Sequence, residues 1–217
     1  MEFLNPQVAC ERLIRIIREK GITDERVLDA FRKVPRHLFV DGAMYVQAYD
    51  DNALPIGSGQ TISQPFVVAL MTQLLNLQKD EKVLEIGTGS GFQTAILAQF
   101  SRRIYTIESV NDLCVTARRR LREMGYQNIV FKHGDGSEGW SQQAPFAKIL
   151  VAAAAPVTPE PLCEQLDVGG RLIIPVGDRF EQELIIYDKT EKGLEKHSKG
   201  SVVFVPLTGK YGWNKKE

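Results

Sequence analysis

The stretch Val83-Leu84-Glu85-Ile86-Gly87-Thr88-Gly89-Ser90-Gly91-Phe92 decides the fold of this chain. An apolar run of strand length passes into three alternating glycines and then into a helical pattern over 92–100. A strand, a glycine turn and a helix in that order open a parallel α/β unit, and such sheets bind ligands outside the carboxyl ends of their strands. The spacing narrows the ligand. A dinucleotide fingerprint, G-x-G-x-x-G, would need a third glycine where Phe92 stands, and a Walker loop would need Gly-Lys-Ser/Thr. The pattern here is G-x-G-x-G, which suits a nucleoside-type ligand without a pyrophosphate and argues against a nicotinamide-dependent oxidoreductase.

Outward from this turn, strand and helix alternate. Strands are predicted at 83–86, 103–108, 128–132, 148–152 and 171–176, with helices at 65–77, 92–100, 111–124 and 159–166 between them. That alternation predicts a doubly wound, mostly parallel sheet with helices on both faces, a Rossmann-like α/β fold. Two amphipathic helices precede it, at 8–20 and 24–33. Two strands at 183–188 and 201–205, separated by the polar stretch KTEKGLEKHSKG, read as an antiparallel pair added at the end. One domain is expected, in three parts: N-terminal helices and loop over 1–64, core over 65–176, strand pair and tail over 177–217. The irregular segment over 35–57 is long for a compact protein, and loops of that length carry function more often than not.

Composition excludes several classes. The 217 residues carry 27 Lys plus Arg against 27 Asp plus Glu, a net charge of zero that gives no sign of a nucleic-acid partner. Arg118, Arg119, Arg120 and Arg122 form a local basic cluster that reads as a solvated helix face. Cys10, Cys114 and Cys163 are far apart and odd in number, so neither a disulfide framework nor a metal site is expected. No leader pattern opens the sequence and no apolar run approaches the ~20 residues of a membrane span. A cytoplasmic protein, monomeric and without a membrane partner, is the expectation.

Two further acids complete a constellation. Glu108 ends the strand RIYTIE, 21 residues beyond Gly87, where a carboxylate can accept from both ribose hydroxyls. Asp135 lies in His133-Gly134-Asp135-Gly136 after the next strand. Flanking glycines leave space for a flat ring, and Asp135 can accept from an exocyclic amine; the same GDG can also be a plain turn. Glycine loop, acid at the second strand and acid after the third give the layout of class I S-adenosylmethionine-dependent methyltransferases.

Longer motifs narrow this further: PRHLFV (35–40), QAYDDNALPIGSGQTISQP (47–65), LEIGTGSGFQTAILA (84–98), HGDG (133–136), AAAAPVTP, GGRLIIPVG and FVPL. Together they resemble the protein-L-isoaspartate (D-aspartate) O-methyltransferases over nearly the whole chain, with the TISxP motif the most specific element. Phe92 and Gln93 depart from the tyrosine-containing form of some relatives, but they follow the glycines. The resemblance implies a repair enzyme that transfers a methyl group from S-adenosyl-L-methionine to the free α-carboxylate of L-isoaspartyl residues of damaged proteins, with D-aspartyl residues as a further substrate class that the family name carries. A succinimide and partial return to L-aspartate would follow.

By the same resemblance Ser63 is the active-site serine, with Gln60, Thr61 and Ile62 beside it for substrate. The cofactor pocket takes Gly57, Ser58, Gly59, Gln60, Gly87, Gly89, Ser90, Gly91, Glu108, Ser109, Asp135, Gly136 and Thr208. Glu85 is expected near the cofactor's amino group, and Val68 stands where some relatives place a polar contact. Ser63 also has a purely structural reading: in Ser63-Gln64-Pro65 it can cap the helix whose first turn holds Pro65. Competing functions are a class I methyltransferase acting on a small molecule or RNA, and a binding module that keeps the nucleoside fold without catalysis.

Overall fold

The computed structural model of the chain describes residues 5–214. Helix α1 (Pro6–Glu19) starts where the Asn5 side chain accepts from the N–H groups of Gln7 and Val8, with Pro6 in the first turn. Helix α2 (Glu25–Lys33) is capped by Asp24 in the same way. The two bury Leu13, Ile14, Ile17, Val27, Leu28 and Phe31 in one apolar cluster. That cluster also takes in Phe92, Ile96 and Leu121 from the core, so the N-terminal helices pack directly on the glycine-loop unit.

The irregular segment folds into two 3-10 turns, Arg36–Phe39 and Gly42–Gln47, followed by a hairpin of β1 (Leu54–Gly57) and β2 (Gln60–Ile62). Ser58 and Gly59 form its two-residue turn with φ of 52° and 69°. Two consecutive positive φ values define the primed turn that matches strand twist. Gly57 and Gly59 are therefore turn residues first.

Helix α3 (Pro65–Leu75) is two residues shorter than its apolar pattern suggests. Asn76 adopts a left-handed conformation, φ 49°, and ends it, while Leu77 still packs into the core. The core then runs β3 (Lys82–Ile86), α4 (Phe92–Leu97), β4 (Arg103–Glu108), α5 (Asn111–Glu123), β5 (Ile129–His133), β6 (Phe146–Val151), α6 (Glu160–Glu164) and β7 (Leu166–Gly177). Helix α4 is buried all round, as a helix without a polar face must be.

One sheet has the order β5-β4-β3-β6-β7, all parallel, and continues through β8 (Gln182–Thr190) and β9 (Gly193–Val202), both antiparallel. Strand order reverses between β3 and β6. Ligand clefts form at such reversals because the connecting loops diverge to opposite sides.

The last strand differs from its expected position. The polar stretch 189–200 was expected to separate two strands, yet β9 (Gly193–Val202) takes up most of it and Glu191-Lys192 is the turn. β9 is exposed along nearly its whole length. An edge strand with neither face in the core has no apolar alternation to read, and its charges guard the edge against further pairing.

Candidate active site

A cleft of about 750 Å³, open solvent included, lies at the strand-order reversal. Ile86 and Gly87 end β3, Ile107 and Glu108 end β4, and Ala152 and Ala153 follow β6, so three strand ends supply its floor. The hairpin contributes Gln60, Thr61, Ile62 and Ser63 on one side, and Val205 to Thr208 close the other.

The glycine loop is held by the backbone. Gly87 N–H donates to Ile107 O at 2.8 Å and Gly91 N–H to Thr88 O at 2.8 Å. Gly87 and Gly91 have φ of 92° and 89°, values at which a side chain would be strained. Arg120 of α5 donates to Ser90 O at 2.7 Å and its guanidinium lies 5.8 Å from the Phe39 ring centroid. Arg118 packs on Phe131 similarly. Half of the basic cluster is thus packing structure, not the solvated face expected, because long side chains reach past the helix surface.

Glu108 is the polar centre of the cleft. It is 5% exposed, and its Oε2 accepts from Gly89 N–H at 2.8 Å and its Oε1 from Val110 N–H at 3.0 Å. A carboxylate accepts about four hydrogen bonds. About two remain for a pair of vicinal hydroxyls in the cleft. Gly136 lies close by: a Cβ there would collide with Ile86 Cγ2, so only glycine fits between the strand end and a ligand. Ile86, Ile107, Val68 and Leu207 give the apolar walls that a flat ring needs. This acceptor and these walls fit S-adenosylmethionine.

Gln60, Gly87, Gly89, Ser90, Glu108, Ser109, Gly136 and Thr208 all line the cleft, with Thr61, Ile62 and Ser63 on the substrate side. Six residues expected in the cofactor pocket do not line it. Gly57 and Gly59 shape the hairpin turn, and Ser58 faces a smaller adjoining hollow with Gly89 and Ser90. Gly91 is the cap residue before α4, packed so closely that a Cβ would come within 2.9 Å of Leu121.

Glu85 and Asp135 are the larger corrections. Strand alternation turns Glu85 to the opposite face of β3 from Ile86. There it is fully buried, and its Oε2 accepts from the hydroxyls of Thr94 at 2.6 Å and Thr106 at 2.7 Å. Burial pushes its pKa up to about 8, against the two hydroxyls that favour the charged form, and Glu108 adds like-charge repulsion. The carboxyl is mostly protonated at neutral pH and braces β3, β4 and α4 together. Thr88 joins the same network at 2.6 Å from Thr106 Oγ1 and does line the cleft.

Asp135 was expected to take an exocyclic amine. Its Oδ1 instead accepts from Ser137 N–H at 2.8 Å and Oγ at 2.7 Å, and its Oδ2 from Lys210 N–H at 2.7 Å. The acid ties down the segment that follows Thr208, a contact 75 residues away in sequence. Ser137 Oγ adds a second tie to Tyr211 N–H at 3.0 Å.

The cap reading of Ser63 also fails. The cap position of α3 is Gln64, which makes no side-chain cap bond. Asp51 does that work from a distance: its Oδ1 accepts from Phe66 N–H at 2.8 Å, and Gln64 Nε2 donates to its Oδ2 at 3.0 Å. The carboxylate at a helix N-terminus is favoured by the helix dipole as well. No hydrogen bond engages the Ser63 hydroxyl among the described residues, and Ser63 lines the cleft. Nothing in the pattern of residues singled out Asp51; its only signal was its place in QAYDDNALPIG. Phe92, Gln93 and Thr88 of the lining were likewise not anticipated as wall residues.

A family model described as protein-L-isoaspartate(D-aspartate) O-methyltransferase matches residues 8–212. The chain belongs to that family. A protein-L-isoaspartate O-methyltransferase 1 from Syntrophobacter fumaroxidans is 51% identical over 97% of this chain and 99% of its own length. The Geobacter metallireducens protein-L-isoaspartate O-methyltransferase is 50% identical over 99% and 100%. Among solved structures, a protein-L-isoaspartate O-methyltransferase superposes with a TM-score of 0.85 at 28% identity, covering 94% of this chain and 67% of its own. A putative one from Plasmodium falciparum, in complex with S-adenosyl-L-homocysteine, gives 0.80 at 25%, covering 94% and 99%.

Two outcomes follow from the geometry. Glu108→Ala should weaken S-adenosylhomocysteine binding by ~1–3 kcal/mol in calorimetry, the scale of hydrogen bonds to a charged group; unchanged affinity would remove Glu108 from the ribose role. Glu85 has a folded pKa above its unfolded value, so its stabilising contribution is complete below about pH 4.5 and is lost as pH rises toward about 8. Urea unfolding of Glu85→Gln beside the parent should show the difference shifting in favour of the variant across that window. A pH-independent difference would show that the carboxyl does not titrate there.

Proposed function

We propose that the Ser63 hydroxyl, left free by Asp51, holds the α-carboxylate of an isoaspartyl residue in the cleft, as the substrate group of a protein repair methyltransferase. The enzyme methylates that carboxylate in damaged proteins and peptides. The resulting ester has a better leaving group than the acid, and the neighbouring backbone amide nitrogen closes a succinimide. Hydrolysis of the ring returns part of the material to L-aspartate.

The chemistry matches what the cleft contains. Bound S-adenosylmethionine supplies a methyl group on a sulfonium. Glu108 with Gly87, Gly89, Ser90, Ser109 and Gly136 would hold its nucleoside, and Gln60 and Thr208 would close over it. An isoaspartyl carboxylate is already ionised at neutral pH, so the reaction needs no general base. Ser63 donates one hydrogen bond, which orients the carboxylate without removing its nucleophilicity, and Thr61 and Gln60 flank the same wall. Ile62, Val68 and Phe92 keep the wall apolar, and charges of opposite sign that approach one another gain from a water-poor surround. The observation that carries the reading is the unengaged Ser63 hydroxyl across a cleft whose polar centre is Glu108.

N-terminal helices, sheet and C-terminal strands act as one catalytic unit on this reading. On the same reading the enzyme acts as a monomer. None of the described helices is long and apolar enough to cross a membrane. With its unpaired cysteines, this fits work in the cytoplasm.

Two otherwise identical peptides, one with Asp and one with isoAsp, offered with labelled S-adenosylmethionine, test the reading. Label is expected in the isoAsp peptide alone; equal labelling, or none, overturns it. Ser63→Ala should lose turnover by a factor of about 10–100, the scale of one hydrogen bond to a charged group, while its melting temperature stays near that of the parent. Normal turnover in the folded variant would take the hydroxyl out of the reaction.

A further inference from the structure

Arg36, in PRHLFV, is 1% exposed and is among the largest fully buried side chains of the protein. Its Nη2 donates to Ser63 O at 2.9 Å and to Asn52 O at 3.2 Å. Its guanidinium carbon lies 4.9 Å from the centroid of the Phe92 ring. Nε and Nη1 are buried with no partner. No ion pair within 4 Å reaches Arg36 among the described residues. Asp51 exerts the main attraction on it, but that carboxylate is already engaged by Lys20 at 2.6 Å, by Gln64 and by Phe66 N–H.

Burial lowers the Arg36 pKa to about 9, with Asp51 opposing the shift, so the group remains a cation at neutral pH. A buried cation without a carboxylate partner is costly, and a well-packed apolar side chain would ordinarily serve the fold as well or better. Its two principal neighbours decide what it is for. Ser63 and Phe92 both line the cleft, so the charge lies directly behind the wall assigned to substrate.

We propose that Arg36 is a positioning residue for methyl transfer, fixing the Ser63 segment through its carbonyl and giving the substrate wall a permanent positive charge that selects an ionised α-carboxylate. This rests on the reading that the Ser63 wall receives the carboxylate. The isoaspartyl group is then recognised by charge as well as by shape. A neutral group of the same size, such as an α-carboxamide, meets the same wall without the attraction. Arg36 touches neither substrate nor cofactor; its hydrogen bond acts on Ser63 and its charge acts through the low-dielectric wall, where screening by water is weak.

The test compares an isoAsp peptide with its α-carboxamide counterpart, both bound to enzyme saturated with S-adenosylhomocysteine so that no methyl is transferred. Arg36→Gln keeps a donor near Ser63 O and removes the charge; Arg36→Lys keeps the charge. The parent should prefer the carboxylate. Arg36→Gln should lose about tenfold of that preference by weakening the carboxylate peptide alone, and Arg36→Lys should keep it within about threefold. Affinity for S-adenosylhomocysteine should be unchanged in both.

Equal weakening of the two peptides in Arg36→Gln would mean a structural role only and overturns the proposal, as does full retention of the preference. Should Arg36→Gln fail to fold, Arg36→Lys decides: a preference within threefold of the parent sustains the proposal and a tenfold loss overturns it. A parent that does not prefer the carboxylate would sink the substrate assignment itself, which separates that failure from one confined to Arg36.

Discussion

The bond from Gly89 N–H to Glu108 Oε2 joins the loop after β3 to the end of β4. It fixes the glycine loop from one side while Arg120 holds Ser90 O from the other. With the loop pinned at both ends, the floor of the cleft is set before any ligand arrives. Preorganised polar groups lose little freedom on binding, which is where much of their value lies. Glu108 does this with two of its acceptor sites and leaves the rest toward the cleft.

A second set of constraints acts on the opposite wall. Asp51 caps α3 through Phe66 N–H and holds Gln64, and Arg36 takes the Ser63 carbonyl. The backbone around Ser63 is therefore tied on both sides, and the hydroxyl remains unengaged among the described residues. Had Ser63 been the cap, its oxygen would have been occupied by a backbone N–H. Moving the cap to a residue of the preceding loop frees it. At the rim, Asp135 and Ser137 hold Lys210 and Tyr211, which keeps Thr208 over the cleft. Each wall of the cleft is thus supported by residues that do not line it.

The sequence and the structure agree most closely where the determining interactions are local. β4 occupies the predicted 103–108 without change, since a buried parallel strand between turn residues leaves little choice of boundaries. Helix ends shift by a few residues where one residue's backbone decides, as Asn76 does for α3. β9 is the element least legible in advance, because a solvated edge strand has no burial to impress a period on its residues.

By itself the sequence determined the α/β class, the family and half of the residues along the cleft. The fold class rests on spacing, glycines after a strand and an acid ending the next; the family and the serine before the proline-led helix rest on the resemblance of longer motifs along the chain. Tertiary structure alone decided which acid faces the cleft. Glu85, Glu108 and Asp135 all stand near the carboxyl ends of neighbouring strands, and spacing cannot separate them. Strand alternation hides Glu85 under α4 and burial holds it protonated. Distant backbone claims Asp135, and only Glu108 keeps acceptor sites toward the cleft. The same holds for Arg36 and Asp51, whose partners lie 27 and 15 residues away. A charge in the interior is defined by what surrounds it, and its surroundings are assembled only when the chain folds.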